Sequence, residues 1–254
     1  MNFEEMLQHH LLDHKLFPVA TVGGANFAIT KHLVMMWLAG GVLLIAASWA
    51  ARSTTGAGKL LRSALEAVVL FIRDEILHPI FHEHTHFYLP YFLTLFFFIF
   101  MCNIAGLVPW GATATGNISV TAALAFCTFG LMQFAGIKEQ GLFSYLKHIA
   151  PGGIPWPVLV ILYPIEILGM LVKCVALTIR LFANMIAGHI VALSFLSLIF
   201  IFGAMSKPIG LAVAVPAVGL ALFINCLDIL VALLQAYIFT MLTALFVGAS
   251  VHPH

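Results

Sequence analysis

Charged side chains are scarce in this chain. They make up 8% of its 254 residues, whereas hydrophobic side chains make up 62%. A soluble domain carries about 25% charged residues, so the composition indicates an integral membrane protein. The sequence also lacks the ~10-residue segments of alternating polarity that build outer-membrane barrels, so we expect helical spans. A net charge of +1 gives no reason to expect nucleic acid as a partner.

Sequence motifs for cofactors are scarce as well. The four cysteines are Cys102, Cys127, Cys174 and Cys226. They have no CxxC spacing and lie in or beside apolar runs, so we interpret them as small buried side chains rather than disulfides. The sequence contains no GxxxxGK[ST] loop that would hold nucleotide phosphates. We therefore expect no cofactor.

The apolar runs predict an all-α integral membrane protein with about five membrane-embedded helices. In chain order, we predict an outer N-terminal segment at 1–30, a first span at 33–51, an amphipathic inner-surface helix at 60–77, a helical hairpin formed by 88–109 and 118–136, and a long tilted hairpin at 155–250. Small turn residues at 111–117 indicate a short outer connection. Basic residues after the first span place that side in the cytoplasm, with the N-terminus outside and the C-terminus inside.

The C-terminal part of the chain holds the longest apolar stretch. Ile154–Ser250 spans 97 residues, and its charged residues are Glu166, Lys173, Arg180, Lys207 and Asp228. Ile165–Ser206 contains no proline, and a single helix over this range would be ~63 Å long. The hydrocarbon core is only ~30 Å thick, so the helix must tilt strongly or break near Gly188 or Gly203. A turn is predicted near Lys207, because a proline follows it.

Arg180 is the most informative residue of this hairpin. An arginine at bilayer depth costs between ~3 and ~17 kcal/mol, so a membrane protein rarely keeps one without a functional use. At about 100° per residue, three polar side chains fall within ~40° of it on one stripe of the helix. They are Glu166, Lys173 and Asn184, whereas His189 falls on the opposite face. Structural alternatives stay open: Glu166 and Lys173 as residues reaching toward the interface, and Asn184 as a helix–helix contact.

Folding the hairpin about Lys207 brings further polar residues to similar depths. Arg180 and Gln235 lie at nearly equal distances from the turn, and Asp228 lies near the depth of His189. A carboxylate and an imidazole can exchange protons near neutral pH, whereas an arginine stays charged. We therefore expect two polar half-paths that meet at a fixed positive charge, with another subunit carrying the ion.

The ten residues Arg180–His189, RLFANMIAGH, resemble the signature of subunit a of the F-type rotary ATP synthases. This match is specific, because it is a continuous block. Supporting segments follow in family order and cover most of the chain from residue 60 onward. They are Phe71–Glu75, Tyr88–Pro109, Pro164–Glu166 and Leu234–Phe239.

The resemblance implies a stator subunit that clasps a rotating ring of c subunits, each with an essential carboxylate. Arg180 falls on the family's invariant arginine, which separates two offset half-channels and attracts each ring carboxylate once its ion has left. Asn184 and Gln235 fall on the family's conserved asparagine and glutamine. The mechanism implied is proton translocation to and from the ring, with ATP synthesis elsewhere in the complex.

The remaining residues of the proton path follow from the same resemblance. His189 and Asp228 fall on the pair of the outer half-channel, and Asp228 is a departure, because relatives often have His or Glu there. Glu166 falls on an acid of the inner half-channel, and Lys173 is a possible path-lining residue. Implied partners are the c-subunit ring, b-type peripheral stalk subunits, the rest of the ATP synthase complex and the lipid bilayer. The implied location is a bacterial inner membrane.

Two rival functions remain at this point. A dense histidine group, His78, His82, His84 and His86, invites comparison with membrane metalloenzymes, and His9, His10 and His14 form a second group. The first group lacks HExxH spacing, and the two groups fall on opposite sides of the predicted topology, so we favour exposed histidines in a connection and no metal. A transporter with its own central ion site is the other rival, but the sequence shows no inverted repeat.

Overall fold

The structure, a computed structural model, describes residues 15–22, 25–53, 56–108, 113–141, 145 and 156–251. Within these ranges, five helices are long and apolar enough to cross a membrane. This confirms the predicted fold class, an all-α integral membrane protein. The N-terminal histidines His9, His10 and His14 lie outside the described residues.

A two-stranded antiparallel sheet precedes the first helix and was not predicted. Its strands are β1 (Lys15–Val22) and β2 (Ala25–Thr30). In the sequence, Gly23-Gly24 separates the two strands, and a glycine pair is a common signal for a tight hairpin. The segment predicted only as an outer N-terminal stretch therefore contains regular structure.

Helix α1 (Lys31–Arg52) contains the predicted first span, 33–51. Its contact with the rest of the chain is small, and Trp37 and Trp49 are both exposed. His32, Ala39 and Ala50 are buried, and Ala39 packs against Cys102 in a small apolar core. Most of the α1 surface is therefore left for surroundings other than this chain.

A run of consecutive helical segments covers the region for which the sequence predicted a surface helix and a separate span. It consists of α2 (Gly56–Phe71), a π-helical turn (Ile72–Leu77), α3 (His78–Phe81), a 3-10 turn (His82–His84) and α4 (Thr85–Leu107). The histidine group therefore does not occupy an open connection, and that part of the prediction is wrong. Its members lie within the helical run. Apolar packing there outweighs the tendency of the polar local sequence to form a loop.

The run leaves helical geometry at His82, whose φ is 46°. Buried aromatic packing surrounds this point, because the rings of Phe81 and Tyr88 lie 4.6 Å apart and those of Phe81 and Phe92 lie 5.7 Å apart. Ile72 and Leu77 of the π-helical turn are also fully buried. Apolar side chains on both sides of His82 thus stabilise the bend.

A short buried turn separates α4 from the next helix. The 3-10 turn Ala114–Gly116 precedes α5 (Ile118–Gln140), which contains the predicted helix 118–136. Ala114 and Thr115 are buried. These two residues of the connection are therefore packed rather than solvated.

The last two helices are α6 (Trp156–Met205) and α7 (Lys207–Val251), with 50 and 45 residues. At 1.5 Å per residue they are ~75 Å and ~68 Å long, more than twice the thickness of a hydrocarbon core. The chain turns at Ser206, and α6 runs unbroken through Gly188 and Gly203. Of the two alternatives for this hairpin, the structure has the unbroken helix.

The chain divides into two compact units. Unit 1 holds the described residues of Met1–Ala47, Phe97–Asn117 and Leu181–Ala236, and unit 2 holds those of Ser48–Phe96, Ile118–Arg180 and Tyr237–His254. Two of the boundaries fall inside the long helices α6 and α7. On α6 the boundary follows Arg180, and on α7 it follows Ala236.

Candidate functional site

Arg180 lies near the middle of α6, and its side chain is exposed on the surface of the chain. Ala176 and Ala183, which precede and follow it by one turn, are exposed as well. Arg180 forms no salt bridge with any residue that the structure describes. The charge is therefore presented to the surroundings of the chain rather than to its core.

Asn184, one turn after Arg180, pairs with α7. Its Nδ2 donates a hydrogen bond to Oε1 of Gln235 at 3.5 Å, within unit 1. Gln235 is buried, and among the described residues its Nε2 has no hydrogen-bond partner. A buried donor without a partner costs about 1–3 kcal/mol, and such groups in native proteins often belong to functional sites. The observed contact of Gln235 is with Asn184.

Asp228 of α7 lies against a glycine of α6. A Cβ atom on Gly188 would lie 2.6 Å from Oδ1 and 2.7 Å from Oδ2 of Asp228, so the carboxylate occupies the space of the missing side chain. Asp228 also interacts electrostatically with His189, the residue that follows Gly188. The acid and the imidazole are therefore neighbours within unit 1. Gly188 does not break the helix but makes room for the acid.

His189 has a second neighbour that sequence reasoning missed. Its Nε2 shares a hydrogen bond with the hydroxyl of Thr113, a buried residue that directly precedes the 3-10 turn Ala114–Gly116. In the sequence, this threonine lies among small turn residues that predict an exposed connection. Nothing in its local pattern distinguishes a buried hydroxyl from a solvated one.

Asn103 is the second residue that the sequence did not single out by its chemistry. It is fully buried, and its Oδ1 accepts a hydrogen bond from the Thr115 hydroxyl at 2.7 Å. Its Nδ2 donates to the carbonyl of Ala232 at 3.4 Å. Ala232 lies on α7 between Asp228 and Gln235, so Asn103 ties α4 and the buried turn to the segment that carries both.

Glu166 and Lys173 belong to unit 2, as Arg180 does. Glu166 is exposed and forms no salt bridge within the described part of the chain. The Nζ atom of Lys173 lies 5.5 Å from the ring centroid of Phe246, which is within the range of a cation–π contact. The structure therefore shows a packed position for Lys173 and an outward one for Glu166.

A polar contact lies one helical turn beyond Glu166. Nε2 of Gln133 on α5 lies 3.6 Å from Sδ of Met170, and Oε1 of Gln133 accepts a hydrogen bond from the Tyr145 hydroxyl at 2.8 Å. The Tyr145 ring lies against Gly136 of the same helix. These contacts fix α5 against the segment of α6 that carries Glu166.

The comparisons with known proteins decide between the remaining alternatives. A model of the family described as ATP synthase A chain matches residues 33–248. The chain belongs to this family. ATP synthase subunit a 2 of Chlorobaculum tepidum is 44% identical over 96% of this chain and 72% of its own length. ATP synthase subunit a of Myxococcus xanthus is 49% identical over 91% of this chain and 77% of its own length.

Family membership confirms the expectations of ATP synthesis and proton transport. Members of the ATP synthase subunit a family are proton-translocating parts of a complex with other subunits, and this chain has the helices of a multi-pass membrane protein. The stator role predicted from the sequence is thus supported over that of a transporter acting alone.

The histidine group gives no support to a metalloenzyme. His78, His82, His84 and His86 are exposed. Within the described ranges, no group of three or more His, Cys, Asp or Glu side chains is arranged to hold a metal ion. The rings of His78 and His82 have centroids 6.5 Å apart in an edge-to-face arrangement.

Proposed function

We propose that this chain carries protons to and from the carboxylates of a rotating c-ring through two offset half-channels, and that Arg180 separates them. The outward exposure of Arg180 on an apolar helix carries the proposal. A guanidinium cannot release its proton at physiological pH, so it blocks direct passage and attracts an anion instead. The anion that fits is a carboxylate on a partner helix.

The surface around Arg180 suits such a partner. Exposed alanines flank it along α6 at Ala176, Ala183 and Ala187. Small side chains allow another membrane helix to approach closely. Opposite charges ~4 Å apart attract by about 4 kcal/mol at an effective dielectric constant of about 20. Moving one charge across 100 mV is worth ~2.3 kcal/mol, so the attraction is of the same order as the driving force for one step.

The outer half-channel runs past the acid and imidazole of unit 1. Asp228 and His189 are neighbours that can each take up and release a proton, and the Asn184–Gln235 pair lies closer along the helices to Arg180. Their proximity supports a path in which protons pass from one group to the next. The inner half-channel leads past Glu166, with Lys173 lining it.

The proposal also includes the membrane location, the orientation and the partner subunits of the chain. It lies in a bacterial inner membrane with its N-terminus outside and its C-terminus in the cytoplasm, which the basic residues after α1 support. The rotor contacts the Arg180 face of α6. The exposed apolar surface of α1 is available to b-type peripheral stalk subunits, which would hold the chain still while the ring turns.

Arg180→Ala tests the proposal in proteoliposomes that contain the intact complex. We expect ATP synthesis and ATP-driven proton pumping to fall to background, because ring carboxylates lose the charge that keeps the half-channels apart. The subunit should still assemble, since the exposed side chain forms no salt bridge with the described residues. Lys207→Ala, which removes an exposed cation at the hairpin turn, serves as the control and should retain coupling. Normal synthesis in Arg180→Ala would contradict the proposed function.

A further inference from the structure

The turn between α4 and α5 is inserted into the interior of unit 1. Thr113 is 5% exposed and Thr115 is 0% exposed, although the segment is composed of residues typical of surface turns. Burial of two hydroxyl groups is costly unless both find partners. Both have a partner: the Thr113 hydroxyl is hydrogen-bonded to His189, and the Thr115 hydroxyl is hydrogen-bonded to Asn103.

Close packing holds Thr113 in one position. A Cβ atom on Gly106 of α4 would overlap the Thr113 side chain and lie 2.9 Å from its Cα atom. The Thr113 carbonyl accepts a hydrogen bond from the Gly116 amide at 2.9 Å, which closes the turn. The Thr115–Asn103 bond anchors the other end. The Thr113 hydroxyl is therefore presented to His189 by a rigid support.

We propose that Thr113 is a positioning residue for His189 in the outer half-channel, an inference that rests on the proposed function. The hydrogen bond at Nε2 fixes the orientation of the ring. Asp228 is the charged group that acts on His189 from α7.

Thr113→Val tests this directly, because valine keeps the shape of threonine and removes the hydroxyl. In proteoliposomes with the intact complex, we expect ATP synthesis to slow about fivefold, the effect of losing one ordinary hydrogen bond. The dependence of the rate on outer pH should shift, because Nε2 of His189 has lost its hydrogen bond to the Thr113 hydroxyl. The loss changes how readily the ring takes up a proton. Thr113→Ser keeps the hydroxyl and should stay within about twofold of the parent rate. Thr94→Val is the matched control, since that exposed hydroxyl bonds only to the Pro90 carbonyl of its own helix.

A double-mutant cycle with His189→Gln separates positioning from mere packing. If Thr113 acts through His189, Thr113→Val should add nothing to the defect of His189→Gln. Additive defects, or a slowed rate with an unchanged pH profile, would overturn the inference. If Thr113→Val does not assemble, Thr113→Ala replaces it in the same cycle.

The proposed outer half-channel and the proposed role of Thr113 can be refuted separately. If His189→Gln leaves ATP synthesis and its pH profile unchanged, the proposed outer half-channel is wrong and the role of Thr113 is wrong with it. If His189→Gln slows synthesis but Thr113→Val matches the parent in rate and pH profile, only the role of Thr113 is wrong.

Discussion

At the scale of single residues, the environment of Arg180 differs from that of the other polar groups of the proposed proton path. Arg180 faces outward, whereas Asn184 and Gln235 face each other across two helices. The cost of an arginine at bilayer depth is therefore not met by an internal carboxylate among the described residues. This is the arrangement expected when the anion arrives on another subunit.

Gly188 carries a residue-scale prediction, because its missing side chain makes room for Asp228. In Gly188→Ala, the new methyl group would come within 3 Å of the carboxylate and displace it. Displacing a group of a reaction path by about 1 Å can cost up to about a hundredfold in rate, so we expect at least a tenfold loss of proton-driven ATP synthesis.

The control for Gly188→Ala is Gly169→Ala on the same helix. A Cβ atom at Gly169 meets nothing within 4 Å, so this variant should assemble normally and keep its rate. Alanine in a helix is favoured over glycine by about 0.5–1 kcal/mol, which makes the control neutral or slightly stabilising. Equal rates in the two variants would mean that the position of Asp228 is not important.

At the scale of elements, the long helices could be predicted from the sequence. The close helix contact at Gly188 and the buried turn at Thr113 could not. The apolar run and the lack of proline in Ile165–Ser206 indicated α6, but a glycine such as Gly188 is compatible with a break, a bend or a close contact. Only the position of Asp228 decides between them. The buried turn at Thr113 was missed for a related reason, since small polar residues suit both solvated loops and tightly packed turns.

The segment that carries His78, His82, His84 and His86 shows a different limit of prediction from sequence. Its polar composition predicted a connection, yet a helical run continues through Gly56–Leu107, in which Ile72, Leu77 and Phe81 are buried. A pattern of local polarity does not contain that information. The β-hairpin at 15–30, by contrast, had a local signal in Gly23-Gly24 that sequence reasoning did not use.

An element-scale prediction concerns Gly136 of α5, where the Tyr145 ring lies against the helix. A Cβ atom there would lie 2.7 Å from ring atom Cδ2, so Gly136→Ala should displace the ring and break its hydrogen bond to Gln133. Overpacking of this kind costs about 1–3 kcal/mol. We expect a lower thermal midpoint for subunit release from the purified complex. Gly130→Ala, on the same helix with open space around it, should leave the midpoint unchanged, and equal midpoints would refute the packing role.

At the scale of the whole molecule, the boundary between the two compact units falls directly after Arg180 on α6. Unit 1 contains Asn184, His189, Asp228 and Gln235, and unit 2 contains Arg180, Glu166 and Lys173. The residues proposed for the outer half-channel therefore belong to unit 1, and those proposed for the inner half-channel belong to unit 2. The family relationship extends over 33–248, so it includes both units.

The most direct measurement for the central claim, that the Arg180 face of α6 meets the rotor, is disulfide cross-linking in the intact complex. The four native cysteines are replaced by alanine, and a cysteine is placed beside the essential carboxylate of each c subunit. Ala183→Cys, on the exposed face, keeps Arg180 in place, and Leu181→Cys, which is 0% exposed, probes the buried face of the same helix. The account predicts an oxidation-dependent product with subunit c from Ala183→Cys and none from Leu181→Cys. A product from Leu181→Cys alone would contradict it.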